Sequence, residues 1–126
     1  MRTKKFAVAI LNVVNELPNR RSANIIGNQL GRSASSVASH YRAACRARSH
    51  AEFISKIGIV EEEADESTFW LDILPDTKNS TVKLTIPLLS EARELTAIFT
   101  AASKTAKQNR TEKISQFPNP KIPKSQ

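Results

Sequence analysis

Side chains able to do chemistry are few in this chain, and their spacing is poor for it. His40 and His50 stand ten residues apart with Cys45 between them. A histidine pair that grips a metal on one helix face is spaced three or four residues apart. A carboxylate-bridged site inside a helix bundle needs Glu-x-x-His from two helices. The run Glu61-Glu62-Glu63-Ala64-Asp65-Glu66 supplies carboxylates and no histidine. Cys45 lies beside Arg46 near a helix end, a setting that can activate a thiol, but a small inert helix residue fits it better. Ser33, Ser35 and Ser36 lie outside any G-x-S-x-G elbow, and no glycine motif that cradles phosphate occurs. The residues therefore predict no enzyme, no metal and no cofactor.

Charge is the stronger signal. Residues 1–50 hold nine Lys/Arg and one acid, a net +8. Residues 51–76 hold one Lys and eight acids, a net −7. Residues 77–126 return to +6, and the 126-residue chain ends at +7. Such a chain either folds its charges onto one another or leaves a basic surface for a polyanion. One Cys excludes an intramolecular disulfide framework and fits a reducing compartment. No apolar run reaches 18 residues, so neither a membrane span nor a signal peptide is predicted.

Four helical seams must position these charges. Phe6, Ile10, Val13 and Leu17 step by 4, 3 and 4, and Pro18 closes the first helix, about residues 3–16. Ile26, Leu30, Ala34, Val37, Tyr41 and Ala44 give a second, about 22–48, with Ser22 or Asn19 as its N-cap. Gly27 and Gly31 weaken it and would let another backbone come close. Ser49-His50-Ala51-Glu52 reads as a capping box that starts the third helix at once, about 50–74, along the heptad seam Phe53, Ile57, Val60, Ala64, Ser67, Leu71 and Leu74, with Pro75 as its stop. The fourth, Leu88, Ala92, Leu95, Phe99, Ala102 and Ala106, spans about 86–107, with Thr85 as N-cap and Pro87 in the first turn. Residues 108–126 are polar, basic and Pro-containing, and read as a disordered tail on a 1–107 domain. Four amphipathic helices joined by short links predict an all-α, up-down-up-down four-helix bundle.

Helices two and three each carry an additional stripe. One is Gln29, Arg32, Ser36, Ser39, Ala43, Arg46. The other is Lys56, Ile59, Glu63, Glu66, Trp70, Ile73. A monomeric bundle needs one buried stripe per helix, so a second suggests a subunit contact. Arg32, Ser36, Ser39, Glu63, Glu66 and Trp70 are its candidate residues. An antiparallel hairpin turning at Ser49 sets Arg32 near Glu63 and Glu66, paired within one chain or across subunits; otherwise the face is solvated.

The combination Gln29-Leu30, Arg32-Ser33, Ser36-Val37, Tyr41-Arg42, Ala44 to Ser49, Ala51 to Ile54, Glu61 to Glu66 and Trp70-Leu71 resembles the four-helix bundle family of ribosomal RNA intervening-sequence proteins. Glu91-Ala92, Glu94 to Phe99 and Thr105 to Lys107 extend the likeness over about residues 6–107. The resemblance implies a left-handed bundle assembling as a homopentamer, encoded within bacterial large-subunit ribosomal RNA genes or elsewhere in bacterial genomes. A related group, the accessory proteins of diversity-generating retroelements, forms basic pentameric barrels that bind nucleic acid and a reverse transcriptase. Where the family has Asn this chain has His40, and where it often has Glu this chain has Ala43. Both changes remove polar partners expected near the middle of helix two.

The expected function is a non-catalytic, homo-oligomeric protein of the cytoplasm that binds RNA or DNA electrostatically. Arg20, Arg21, Arg42, Arg46 and Arg48 are the expected contacts, with Lys104, Lys107, Arg110 and Lys113 extending the surface. The alternative is a scaffold whose oligomer binds a protein partner. Consumption of Arg32, Arg42 and Arg46 by Glu63 and Glu66 would favour the scaffold; convergence of the basic residues on one face would favour nucleic acid.

Overall fold

The computed structural model describes residues 1–80 and 82–116, and side chains through residue 109. It contains α1 (Arg2–Asn15), α2 (Arg21–Cys45), α3 (His50–Ile73), a single 3-10 turn (Pro75–Thr77) and α4 (Val82–Gln116). The described residues form no strand. The described residues are all-helical, with four α-helices around one core.

Most residues of the expected seams form that core, but Val13 and Leu17 of the first seam are only partly buried, and Ala7 is buried and Val14 packs against the core in their place. Phe6 and Ile10 meet Leu30, Ala34 and Val37, then Ile57, Val60, Ala64 and Leu71, and finally Ala92, Leu95 and Phe99. α2 packs against α1 and α3, and α4 packs against α3 and α1. A methyl group on Gly27 would lie 3.3 Å from Val14 and 3.4 Å from Leu17, while one on Gly31 would lie 3.4 Å from Leu11. The backbone approach permitted by the two glycines is therefore used by α1 of the same chain. Further along, Ser33 meets Ser67, Glu61 meets Thr100, and His50 meets Ala106.

Several helix ends differ from expectation for identifiable reasons. Arg20 occupies the α2 N-cap with extended backbone and no side-chain cap. Ser22 instead accepts a hydrogen bond from Asn79 Nδ2 at 2.9 Å, and Asn19 accepts one from Asn24 at 3.2 Å. α2 stops at Cys45, short of Arg48, where the Arg46 and Ala47 N–H groups close onto the Ala43 and Ala44 carbonyls. Ser49 must be extended to cap α3, so the chain leaves helical geometry before it. Ser49 Oγ accepts from the Glu52 N–H at 3.0 Å, and Glu52 reaches back to the Arg48 N–H at 3.2 Å, one residue earlier than the usual box.

α4 begins at Val82, so Pro87 lies in its second turn and leaves the Lys83 carbonyl without its helical donor. Thr85 is buried inside the helix rather than capping it, and its hydroxyl donates to the Val82 carbonyl at 3.2 Å. The helix also runs on to Gln116, past the expected end at 107. No Gly or Pro interrupts the sequence before Pro118, so helical geometry continues across polar residues 108–116. Residues 117–126 of the expected tail lie outside the described residues.

The α3–α4 turn is tied to the start of α2. Lys78 has left-handed backbone, φ 62°, and its N–H closes onto the Pro75 carbonyl at 3.0 Å. Arg20 donates to the Lys78 carbonyl at 2.8 Å.

At the α2–α3 contact, Ser33 and Ser67 are fully buried with their oxygens 2.8 Å apart. Each also faces a carbonyl of its own helix, Leu30 at 3.2 Å and Glu63 at 2.9 Å. Two hydroxyl hydrogens serve these three contacts, so removal of one hydroxyl weakens the other's set. Single Ser33→Ala or Ser67→Ala substitutions should each cost about 1 kcal/mol, and the double variant should cost clearly less than their sum. Urea unfolding of the four proteins measures this; strictly additive losses would contradict the coupling.

Candidate functional site

The outer side of α2 carries Arg21, Ile25, Asn28, Arg32, Ser39, Arg42 and Arg46, all exposed. The intervals between them are those of a helical stripe, so four arginines lie along one surface. The structure nevertheless splits the expected nucleic-acid surface in two. Arg20 and Arg21 lie at the start of α2, and Arg46 lies beyond its end. That separation is about 38 Å at the helical rise of ~1.5 Å per residue. Arg20 is already engaged with the Lys78 carbonyl.

The far end is the denser cluster. The contact of His50 Nε2 with the Ala106 carbonyl, 2.8 Å, brings the last part of α4 beside the α2–α3 link. Lys104 and Lys107 are exposed on that part of α4, at the same end of the bundle as exposed Arg46 and Arg48. Arg42, Arg46 and Arg48 make no ion pair among the described residues. The side chains of Arg110 and Lys113 lie outside the described residues. Tyr41 packs its ring against Phe99, with centroids 5.4 Å apart, so this aromatic points into the bundle and away from any base.

The second patch lies midway along α2 and α3. Arg32 Nη1 is 3.1 Å from Glu63 Oε2, and Nη2 pairs with Glu66. Both pairs are within one chain. Arg32 is 49% exposed, Glu66 33% and Glu63 19%. The Arg32 guanidinium, as hydrogen-bond donor, holds the Glu66 carboxyl below the usual range. Burial raises Glu63 above it, outweighing the same guanidinium. Trp70 lies partly buried beside this patch with its Nε1 3.5 Å from Glu66 Oε1, a long contact.

Ser36 and Ser39 turn back on their own helix. Ser36 Oγ lies 2.8 Å from His40 Nδ1, and Ser39 donates to the Ser36 carbonyl at 3.3 Å. His40 thus has a local partner in Ser36, on its own helix. Sequence reasoning missed Phe69, which is 53% exposed and meets Trp70 edge-on at 4.9 Å. Its position two residues after the core Ser67 and two before Leu71 was the available signal. It also missed Arg2, which pairs with Glu91 at 2.7 Å and holds that carboxyl below the usual range. Among the described residues, no group of three or more His, Cys, Asp or Glu is placed to hold a metal ion. No described helix is long and apolar enough to cross a membrane.

The model of the 23S rRNA-intervening sequence protein family matches residues 1–101. A crystal structure of a protein of unknown function from the S23 ribosomal protein family of Bacteroides thetaiotaomicron is similar to this chain, at 29% identity and a TM-score of 0.75. The match covers 82% of this chain and 95% of that one. No curated protein matches the chain.

The Arg32 patch sets a pH dependence. Glu66, with its lowered carboxyl, adds stability that is present above the unfolded value near 4.3 and lost as pH falls through its folded value. Glu63 acts in the opposite sense, because its buried charge is relieved by protonation. Glu66→Gln should therefore flatten the acid-side loss of stability, whereas Glu63→Gln should not. Arg32→Ala should cost no more than about 1 kcal/mol at neutral pH, given its exposure. Urea unfolding from pH 7 to pH 3 checks all three, and an unchanged acid limb in Glu66→Gln would contradict the assignment.

Proposed function

The chain belongs to the 23S rRNA-intervening sequence protein family, and on that premise we propose that it is a non-catalytic, homo-oligomeric helical-bundle protein that binds RNA or DNA electrostatically. The proposed assembly is a homopentamer of left-handed, up-down-up-down bundles in the cytoplasm. The observation that carries the binding reading is the end of the bundle where the exposed Arg46 and Arg48 side chains join no ion pair among the described residues and the stretch of α4 bearing Lys104 and Lys107 arrives at the same end. Arg32 alone of the α2 arginines is taken up by Glu63 and Glu66, which leaves Arg42 and Arg46 to meet phosphates.

Arginine suits this task because its guanidinium stays charged and its planar fork matches phosphate oxygens. Binding of this kind releases counterions, falls steeply with salt and reads little sequence. Arg20 and Arg21 form a second, weaker contact region at the opposite end. Five chains would carry five times the +7 of one, which raises the affinity of the assembly for a polyanion above that of a single chain. Subunits meet beside the Arg32–Glu63–Glu66 patch, with Trp70 on its α3 side and Ser36 and Ser39 at its α2 edge.

Anisotropy of labelled structured RNA and of duplex DNA across a salt series, with the mass fixed by light scattering in the same buffer, tests the reading. Affinity on a multimer should fall linearly on logarithmic axes. The double variant Arg42→Ala/Arg46→Ala should bind more weakly and lower the duplex slope by about 2 for each subunit engaged. A well-formed multimer that binds neither nucleic acid at low salt would overturn the reading in favour of a scaffold for a protein partner.

A further inference from the structure

The outer sides of α1 and α3 carry opposite charge, and each leaves apolar surface uncovered. On α1, Met1, Lys4, Lys5 and Val8 border a shallow groove, with Met1 65% and Val8 48% exposed. On α3, Glu62, Asp65, Phe69 and Asp72 are exposed at intervals of 3, 4 and 3, forming a stripe opposite the core residues. Neither lysine and none of these three acids joins an ion pair among the described residues. The α3 stripe is thus a negative surface with one large aromatic ring in it, and the α1 face is a positive surface with aliphatic side chains.

Gly58 continues the α3 stripe by one turn. A methyl group there would meet nothing within 4 Å. Glycine inside a helix is about 1 kcal/mol worse than alanine, and no packing within the chain calls for it. Gly27 and Gly31 on α2 have such a reason, because α1 lies against them. A backbone from outside coming close would give Gly58 such a reason.

The arrangement of the helices decides how such surfaces meet. α1 and α3 each pack against α2 and α4, so they occupy one diagonal of the bundle and their outer sides face opposite ways. Complementary patches on opposite sides of a molecule join copies head to tail, a heterologous contact that closes into a ring when the rotation permits. The outer side of α2 is also basic, but Ile25 is its one large exposed apolar residue. α1 offers Met1, Val8 and Leu11.

We propose that the α3 stripe of one copy receives α1 of a second copy, with Lys4 and Lys5 facing Glu62, Asp65 and Asp72, Val8 and Met1 against Phe69, and the close approach at Gly58. This rests on the homo-oligomeric reading above: the α3 stripe adjoins the Arg32–Glu63–Glu66 patch, one residue round the helix, and α1 of the second copy covers the stripe and the α3 side of that patch.

Light scattering of four proteins tests the contact: wild type, Lys4→Glu/Lys5→Glu, Asp65→Lys/Asp72→Lys, and the chain carrying all four substitutions. The wild type should be a multimer. Each double variant should fall to the 14.0 kDa of one chain while keeping its helical circular dichroism. The four-substitution chain should regain multimer mass, because its reversed faces are again complementary. Gly58→Leu is the check that does not alter charge. Its side chain enters open space in one chain, so it should stay folded and lose multimer mass. Retention of multimer mass by both double variants or by Gly58→Leu overturns the contact and leaves oligomerisation standing. So does a four-substitution chain that is folded and monomeric. A monomeric wild type overturns the contact and the oligomeric reading together.

Discussion

Close approach of α2 and α3 at four small side chains governs the rest of the structure. Ser33, Ala34, Ala64 and Ser67 are all fully buried where the two helices meet. Small residues let the helix backbones come near, and the Ser33–Ser67 contact sets their register along the axis. That register brings Arg32 level with Glu63 and Glu66, within reach of one guanidinium. It also places the capped start of α3 where His50 can meet the Ala106 carbonyl. A larger side chain at any of the four positions would push the helices apart, and overpacking of this kind carries its own strain. Both candidate surfaces therefore depend on a contact that belongs to neither.

The same geometry explains why the basic and acidic segments of the chain do not neutralise one another. α2 is basic and α3 acidic, and they are neighbours, yet among the described residues only Arg32 pairs with a carboxylate across their boundary. Glu62, Asp65 and Asp72 project from the side of α3 away from the core, while Arg21, Arg42 and Arg46 project from the outer side of α2. Charges turned to different faces of a bundle are separated by solvent and screened over about a Debye length. The fold thus converts an alternation along the sequence into faces of unlike charge. Within the Arg32 patch the balance is local: one guanidinium stabilises the more exposed Glu66 and fails to offset the burial of Glu63.

The core was legible because a 3.5-residue seam leaves little freedom: Ile57, Val60, Ala64, Ser67 and Leu71 are buried in the order their spacing gives. The Ser49 cap was legible because its hydroxyl and Glu52 lie at the spacing that satisfies free N–H groups. Other ends were hidden by competing partners. Ser22 has the chemistry of a cap, but a residue 57 positions later takes its hydroxyl. Pro87 suits a first turn on local grounds, yet the helix begins earlier and accepts the lost hydrogen bond. For the charged residues, spacing alone indicated that Arg32 and the two glutamates share a level. The expected bounds of helix two already set Arg20 and Arg21 a full helix length from Arg46 and Arg48; they did not indicate that Arg20 donates to the Lys78 carbonyl, because that contact joins residues 58 positions apart.

A ring joined through α1 and α3 has a consequence for the basic stripe. These helices form one diagonal of the bundle, so α2 and α4 lie on either side of the line that connects neighbouring copies. Head-to-tail repetition keeps that side constant, and every α2 then faces the same way around the assembly. Arg21, Arg42 and Arg46 would recur once per subunit on a single surface, with the Arg46, Arg48 and Lys104 ends gathered at one rim. Individually, exposed arginines bind phosphate weakly; repeated at fixed intervals on a rigid frame they act at high effective concentration on one long polyanion. Self-association through the acidic stripe would therefore complete the function proposed for the basic one, since it uses up the negative face and leaves the positive face aligned.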